Sequence, residues 1–381
     1  MQFDVVVAGL GVIGSAAVYH TARRGRRVLG LERFEPNHDR GSSHGSTRII
    51  RLGYFEHPSY VPLLRSAYRL WRETETAVGQ RLLNITGIAE IGPPDGVLVD
   101  GTLAAARLHQ LSHRVLDAPE LMRRFPAFRL PRHYVGVLQP DGGVIAVEPA
   151  IRAHLGLAQA AGAELRFHER MLAIEPAADV VRIVTDHGVI EAGAVVIAAG
   201  SWVKKLLPGL PAPLKVTRQV IAWFQPDDAT SFTADRFPVF ILESHHGIHY
   251  GFPHDGIGVK VGKHYLDPEP VDPDTSPRTV SGHDEAAIRN ALADHVPGAN
   301  GPLRAATTCL YTETPDRDFV IDCWRSSRLI VASPCSGHGF KFAPVIGEIL
   351  ADLACTGTTA HDISRFRLDR FGARAGTDDT I

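Results

Sequence analysis

The first 24 residues constrain the fold more than any other stretch. Val5 to Ala22 carries no Asp, Glu, Lys or Arg, a run at the edge of the length that spans a membrane. Its internal order argues for something else. Phe3 to Ala8 is Val-rich, as a buried parallel strand would be. Gly9, Gly11 and Gly14 follow, and Ser15 to Arg24 reads as helix. An export signal would put basic residues ahead of the run, whereas Asp4 is the only charged side chain there. The pattern predicts strand, turn and helix, with no membrane segment and no secretion signal.

Gly9-Leu10-Gly11-Val12-Ile13-Gly14 has the G-x-G-x-x-G spacing. In a nucleotide site the first glycine permits the tight turn, the second lets backbone approach a pyrophosphate, and the third lets helix pack on strand. The free N–H groups of the helix start then face phosphate. A second strand, Arg27 to Leu31, ends at Glu32, 18 positions beyond Gly14, near the spacing of an acid that binds ribose hydroxyls. An unrelated glycine turn could share the spacing, but the surrounding strand, helix and acid favour a dinucleotide. The motif alone does not separate NAD from FAD. Glu191 to Trp202 reads as a buried strand ending in small residues, with Ala199, Gly200 and Trp202 at its end. An ordinary core strand would read the same way. The stretch resembles the second signature of FAD proteins of the glutathione-reductase type, and the two signals together favour FAD.

Lys plus Arg is 40 and Asp plus Glu is 42 in 381 residues. That excludes a global basic field for nucleic acid. Four cysteines exclude a disulfide framework and fit a reducing, cytoplasmic setting. The length suggests two to three domains. Helices are predicted at Leu103–Ser112, Ala118–Phe125, Pro149–Ala161, Asp284–Val296 and Val345–Ala354, and a hairpin around Asp186-His187. Short β-rich runs (Val220–Phe224, Val239–Leu242, Ile248–Phe252, Gly258–Val261) suggest an antiparallel sheet, and Asp267 to Pro277 a loop. The expected architecture is α/β with α+β character: a Rossmann-like FAD-binding domain from residues 1–85, 145–215 and 305–381, and an inserted substrate domain, built on an antiparallel sheet, from residues 86–144 and 216–304.

Four clusters carry chemistry. Gly41-Ser42-Ser43-His44-Gly45-Ser46-Thr47-Arg48-Ile49-Ile50-Arg51 is a Gly/Ser-rich loop leading to two arginines three positions apart, which would share a face on a helical turn. They suit a carboxylate or an anionic cofactor, though a phosphate clamp or a surface pair is also open. Lys260 alternates with Val259 and Val261 and faces away from both, toward either a cofactor or water. The others are Thr308-Cys309-Leu310-Tyr311-Thr312-Glu313-Thr314-Pro315-Asp316 and Ser336-Gly337-His338-Gly339-Phe340-Lys341-Phe342. His245-His246 is read as a hairpin tip and no metal site is expected, because adjacent strand residues face opposite ways.

In this order the strings GLGVIGS, SSHGSTRIIR, YGFP, GVKVGKH, TCLYTETPD, FVID and SGHGFKF resemble the monomeric sarcosine oxidase and N-methyltryptophan oxidase family, from about Phe3 to about Phe366. The resemblance implies an FAD-dependent oxidase of secondary or tertiary amine amino acids, yielding an imine that hydrolyses and hydrogen peroxide. The alternatives are oxidation of a cyclic imino acid, pipecolate- or proline-like, and an amine dehydrogenase that uses oxygen poorly. Cys309 matches the family cysteine that holds flavin covalently; Cys335, beside the Ser-Gly-His-Gly loop, is either a second thiol near the flavin or only a small hydrophobe, and Cys323 and Cys355 are bystanders. Lys260 and Arg48 match cations near the flavin ring, and Arg51 and Lys341 the pair that binds substrate carboxylate. Tyr250 and His264 match residues that orient substrate or tune its amine, and Tyr311 and Thr312 line the site. The implied cofactor contacts are Gly9, Gly11, Val12, Ile13, Gly14, Glu32, Arg33, Ser43, His44, Thr47, Arg48, Ala199, Gly200, Trp202, Cys309, Gly337, His338, Gly339 and Lys341. The expected partners are a small amine and oxygen, with the chain a monomer or weak homo-oligomer.

Overall fold

The computed structural model describes residues 2–176 and 179–372. Residues 1, 177–178 and 373–381, assigned above to nucleotide-domain segments, lie outside the described residues. The predicted opening forms as strand Phe3–Ala8 and helix Val12–Ala22. The helix starts three residues earlier than expected, directly after Gly11, so its free N–H groups open onto the glycine turn. A Cβ on Gly14 would lie 1.7 Å from the Gly9 carbonyl oxygen. Only glycine allows the helix this close to the strand.

Phe3–Ala8 is flanked by parallel strands on both sides, Val28–Leu31 and Gly188–Ile197. Glu164–Arg166 continues the sheet beyond Val28–Leu31. The ten-residue strand Gly188–Ile197 does two jobs along one edge. Its first half pairs antiparallel with Val181–Thr185, forming the predicted hairpin, and its end pairs parallel with Ser326–Ser333. The hairpin and the late strand, read separately in the sequence, are thus one element. The helix Val12–Ala22 is buried nearly all round, between helices Val147–Ala160 and Ala343–Thr356. A Cβ on Gly347 would meet the Ala16 backbone at 2.6 Å.

The second large sheet runs Leu303–Glu313, Lys215–Phe224, Val259–Lys263, Gly247–Phe252, Val239–Ser244, Ile88–Gly92, Val135–Gln139 and Arg114–Asp117. It corrects the antiparallel expectation at one pair: Val239–Ser244 runs parallel to Ile88–Gly92, because a strand from each substrate segment meets there. Helices Ala118–Arg124 and Gly282–His295 form as predicted. The helix read as Leu103–Ser112 is Val97–His109. Gly101, a helix-weakening residue that hid its first turns, is where the backbone of Phe55 packs, 2.5 Å from a Cβ placed there. Among the described residues no helix is long and apolar enough to cross a membrane.

The core hides one polar oddity. His154 is fully buried between the rings of Trp71 (5.1 Å) and Tyr19 (5.9 Å), and neither ring nitrogen has a hydrogen-bond partner. Burial holds it down to about 3, and His249 to about 4. Both stay neutral in the fold but take up protons in the unfolded chain below about pH 6.5. Stability is therefore full above that pH and falls as pH drops toward the folded values, by about 1.4 kcal/mol per pH unit for each group. Urea midpoints measured from about pH 7.5 down to 5 should decline, and His154→Leu should flatten the decline. An unchanged slope would remove His154 from this account.

Candidate active site

One elongated cavity runs from the glycine turn to Lys341. At the nucleotide end its wall includes Gly9, Gly11, Val12, Ile13, Glu32, Arg33, Ser43, Ala199, Gly200 and Trp202. Glu32 accepts from Leu10 N (2.8 Å) and Phe34 N (3.1 Å). These bonds fix a carboxylate whose remaining lone pairs suit ribose hydroxyls. Ser43 Oγ accepts from Val12 N at 3.2 Å. Gly14 shapes the turn from behind. Asp274, which the sequence reading left in a plain Pro/Asp-rich loop, accepts from Arg33 Nη1 (2.6 Å), Trp202 Nε1 (2.8 Å) and Lys205 Nζ (2.5 Å). That loop is therefore pinned across the nucleotide end. The glycine cradle and the oriented acid fit an FAD nucleotide.

The Gly/Ser-rich loop leads into a strand, Thr47–Ile50, and not a helical turn. Strand residues three apart point to opposite faces, which corrects the shared helical face expected for the two arginines. The arginines still reach the cavity, each held differently. Arg48 donates to the carbonyls of Thr47 (2.9 Å) and Ser42 (3.0 Å). Arg51, just past the strand, donates to Gly53 O (2.6 Å) and through Nη2 to both oxygens of Glu56 (2.7 and 2.6 Å). Glu148 secures the loop by accepting from Gly45 N (3.0 Å) and Ser46 N (3.3 Å).

Lys260 lies one layer behind the wall, on Val259–Lys263. Its ammonium donates to Gly45 O (2.7 Å), Thr47 O (2.7 Å) and Thr47 Oγ1 (2.9 Å), with the Phe252 ring centroid 4.5 Å away. Burial, then the nearby Arg48 cation, pushes it well below lysine's ordinary range. Thr47 thus serves Lys260. His44 is buried, with Nε2 unpartnered, and burial lowers it to about 4.

At the far end, Lys341 follows the Ser-Gly-His-Gly loop. A Cβ on Gly339 would fall 1.5 Å from Pro334 O, so only glycine closes this loop. Lys341 Nζ donates to His338 O at 2.7 Å, and its own carbonyl accepts from Trp71 Nε1 at 2.9 Å. Tyr54 lies beside both cations, its ring centroid 4.2 Å from the Arg51 guanidinium and 5.3 Å from the Lys341 ammonium. His338 Nε2 lies 3.0 Å from Arg317 O and must donate to it, leaving Nδ1 to accept from Tyr54 OH at 2.8 Å. The ring is neutral, and burial lowers it to about 4. Burial and Arg51 lower Lys341 to about 7.

Two acids missed in the sequence govern Arg51. Glu56 is in the cavity wall, and despite burial Arg51 holds it down to about 2. Glu90 is fully buried behind, with Oε1 3.4 Å from Arg51 Nη1 and Oε2 accepting from Gln139 Nε2 at 2.9 Å. Burial raises it to about 7. The available signal was a lone charge inside the apolar strand Ile88-Ala89-Glu90-Ile91.

Tyr250, His264, Tyr311, Cys309 and Cys335 line the middle, with Gly337, His338 and Gly339. His264 Nδ1 is 3.2 Å from Tyr311 OH. Burial lowers His264 to about 3 and raises Tyr250 to about 12, so both are neutral groups that orient. Thr312 is not in the wall but is bonded to residues that are: its Oγ1 is 3.1 Å from Ser201 Oγ, and its N–H donates to Cys335 Sγ (3.3 Å). Burial raises the Cys309 thiol, against the pull of Arg48. Cys323 and Cys355 are not in the wall.

The model of the FAD dependent oxidoreductase (DAO) family matches residues 4–353. The chain is 43% identical over 378 residues to monomeric sarcosine oxidase of Streptomyces avermitilis, covering 97% of this chain and 98% of that protein. It is 38% identical to N-methyl-L-tryptophan oxidase of Salmonella typhi, covering 97% and 100%. Among solved structures, NikD, an unusual amino acid oxidase essential for nikkomycin biosynthesis, superposes with a TM-score of 0.85 at 33% identity, covering 96% and 97%. L-proline dehydrogenase from P. horikoshii, 20% identical with a TM-score of 0.84 over 97% and 98%, shares the fold. With the glycine cradle, the oriented Glu32 and a full-length match, this chain belongs to the FAD-dependent oxidoreductase family.

Proposed function

We propose that the protein oxidises the C–N bond of a secondary or tertiary amine amino acid of the sarcosine or N-methyl amino acid type. The observation that carries this reading is that Arg51 and Lys341, both in the cavity wall, each lie beside the Tyr54 ring. Two buried cations beside an exchangeable carboxylate, Glu56, form a receptor for a carboxylate ligand. The names of the relatives supply the reaction class. Bound FAD would supply the redox chemistry, as acceptor of a hydride equivalent from the carbon next to nitrogen and donor of the electrons to oxygen, with hydrogen peroxide as product. Gly9, Gly11, Glu32 and Ser43 would hold its nucleotide, and Cys309 would tether its ring.

The chain's own part is orientation. The substrate carboxylate takes over Arg51 donors now held by Glu56, and Lys341 supplies the second charge-assisted bond. Neutral Tyr250 and His264 meet the amine side, where a neutral hydrogen-bond partner leaves the nitrogen lone pair available. The wall beside them is apolar, from Ile49, Phe55, Ile241, Ile248 and Phe252. Lys260 fixes the Arg48 loop through Gly45 and Thr47, and in its protonated form places a positive charge behind the wall where reduced oxygen species gain negative charge.

Three outcomes test this. Peroxide release should follow addition of sarcosine or another N-alkyl amino acid to the yellow protein; no flavin reduction by any secondary or tertiary amine would overturn the reading. Lys260→Met should slow reoxidation in air by about 100-fold or more and leave carboxylate binding within a few fold; unchanged reoxidation removes the oxygen role. Acid precipitation should leave flavin in the pellet, and Cys309→Ser but not Cys335→Ser should release it.

Carboxylate binding also has a defined pH sense. As pH rises through about 7, Lys341 loses its positive charge and Glu90 gains a negative one. A simple carboxylate ligand without an amine should therefore bind less tightly, by up to about tenfold per pH unit for each titrating group. Glu90→Gln should make the fall shallower. Glu56→Gln should tighten binding about fivefold, because a neutral competitor replaces a charge-assisted one. Titration by flavin absorbance checks both, and affinity rising with pH would contradict the assignment.

A further inference from the structure

The turn joining strands Val239–Ser244 and Gly247–Phe252 consists of His245 and His246 alone. They therefore sit in the turn itself, and the opposite-face argument against a shared ligand does not apply to them. Their ring centroids are 3.8 Å apart. Both rings reach the same carboxylate at the end of helix Gly282–His295: His246 Nε2 is 2.9 Å and His245 Nε2 3.7 Å from Asp294 Oδ2. The next residue, His295, closes the group. One ligand atom each from His245, Asp294 and His295 lies within 4.8 Å of the others.

His295 supplies an independent indication of a ligand. It is only 4% exposed. Its Nδ1 is 3.2 Å from Arg129 O and must donate to it, which puts the lone pair on Nε2. That nitrogen is buried with no hydrogen-bond partner. Buried polar atoms are nearly always satisfied. An imidazole whose Nδ1–H is held by a backbone carbonyl is also the arrangement that orients a ring toward a metal. Asp294 and His295 lie at the helix C-terminus, whose partial negative charge favours a cation. The Tyr134 ring stacks on His295, with centroids 5.9 Å apart, and limits its rotation.

We propose that His245, Asp294 and His295, with His246 beside them, bind one divalent transition-metal ion of the class that takes imidazole and carboxylate ligands, such as Zn²⁺ or Ni²⁺. The ion would clip the hairpin to the helix. Strands of that hairpin carry Ile241, Ile248 and Tyr250 to the cavity wall, so the clip is mechanically connected to the substrate pocket without entering it.

The test uses the FAD-loaded protein and Ni²⁺ at about pH 7.5. Calorimetry should give about one equivalent of saturable binding, with melting temperature rising as Ni²⁺ is added. His245→Ala and Asp294→Asn, both at exposed positions, should each weaken binding at least about tenfold and abolish the melting shift. Their melting temperatures without metal should match wild type, which shows the fold is intact. Wild-type binding that is absent, or that both variants retain, overturns the proposal. Retention would place the ion elsewhere, for example on the partly buried thiols of Cys323 and Cys355.

Discussion

The contact between Gly14 and the Gly9 carbonyl is the constraint on which the rest depends. It brings the first helix against the first strand with no side chain between them. That proximity sets the helix axis, and helices Val147–Ala160 and Ala343–Thr356 then pack on the helix from either side. The Gly347 backbone meets Ala16 just as closely. Chain segments far apart in sequence are therefore referenced to one turn. Any side chain at position 14 would push the helix away from the sheet and spoil the cradle that Glu32 completes.

Charge in the interior follows a second rule. Lys260, Lys341 and Arg48 are each held by backbone carbonyls, which compensate positive charge without neutralising it. Of the four site cations, only Arg51 pairs with carboxylates among the described residues, Glu56 and Glu90. The negative groups of the site are thus gathered beside a single cation. Buried charges without strong partners are costly, and their concentration here marks where stability has been given up for ligand recognition.

Much of this was legible beforehand, because it is local. The glycine spacing, the strand before it and Glu32 after it are neighbours in sequence, and the late strand ends in small residues for the same steric reason. The four clusters likewise carried Arg48, Arg51, Lys260 and Lys341 in plain view. What stayed hidden depends on contacts between distant segments. Glu90 reads as a charge in a strand until the fold sets it behind Arg51. Asp274 reads as loop until Arg33 and Trp202 reach it. The parallel pair in the second sheet joins two separated insert segments, and no local periodicity reports such a pairing. The strand form of Thr47–Ile50 was missed because its partner, Gly143–Ala146, lies almost a hundred residues on.

Arg51 and Lys341 are far apart in sequence, and both lie beside the Tyr54 ring. Between them, Ser326–Ser333 must dock on Gly188–Ile197 before the Lys341 loop can close. A ribosome must therefore extend the chain past Lys341 before the two cations can meet, although the nucleotide cradle from Gly9 to Glu32 is synthesised well before. Domains generally fold as units during synthesis, but this one interleaves its segments and cannot finish early. With Arg51 and Lys341 in the role proposed above, the order in which its parts emerge withholds carboxylate binding from the growing chain.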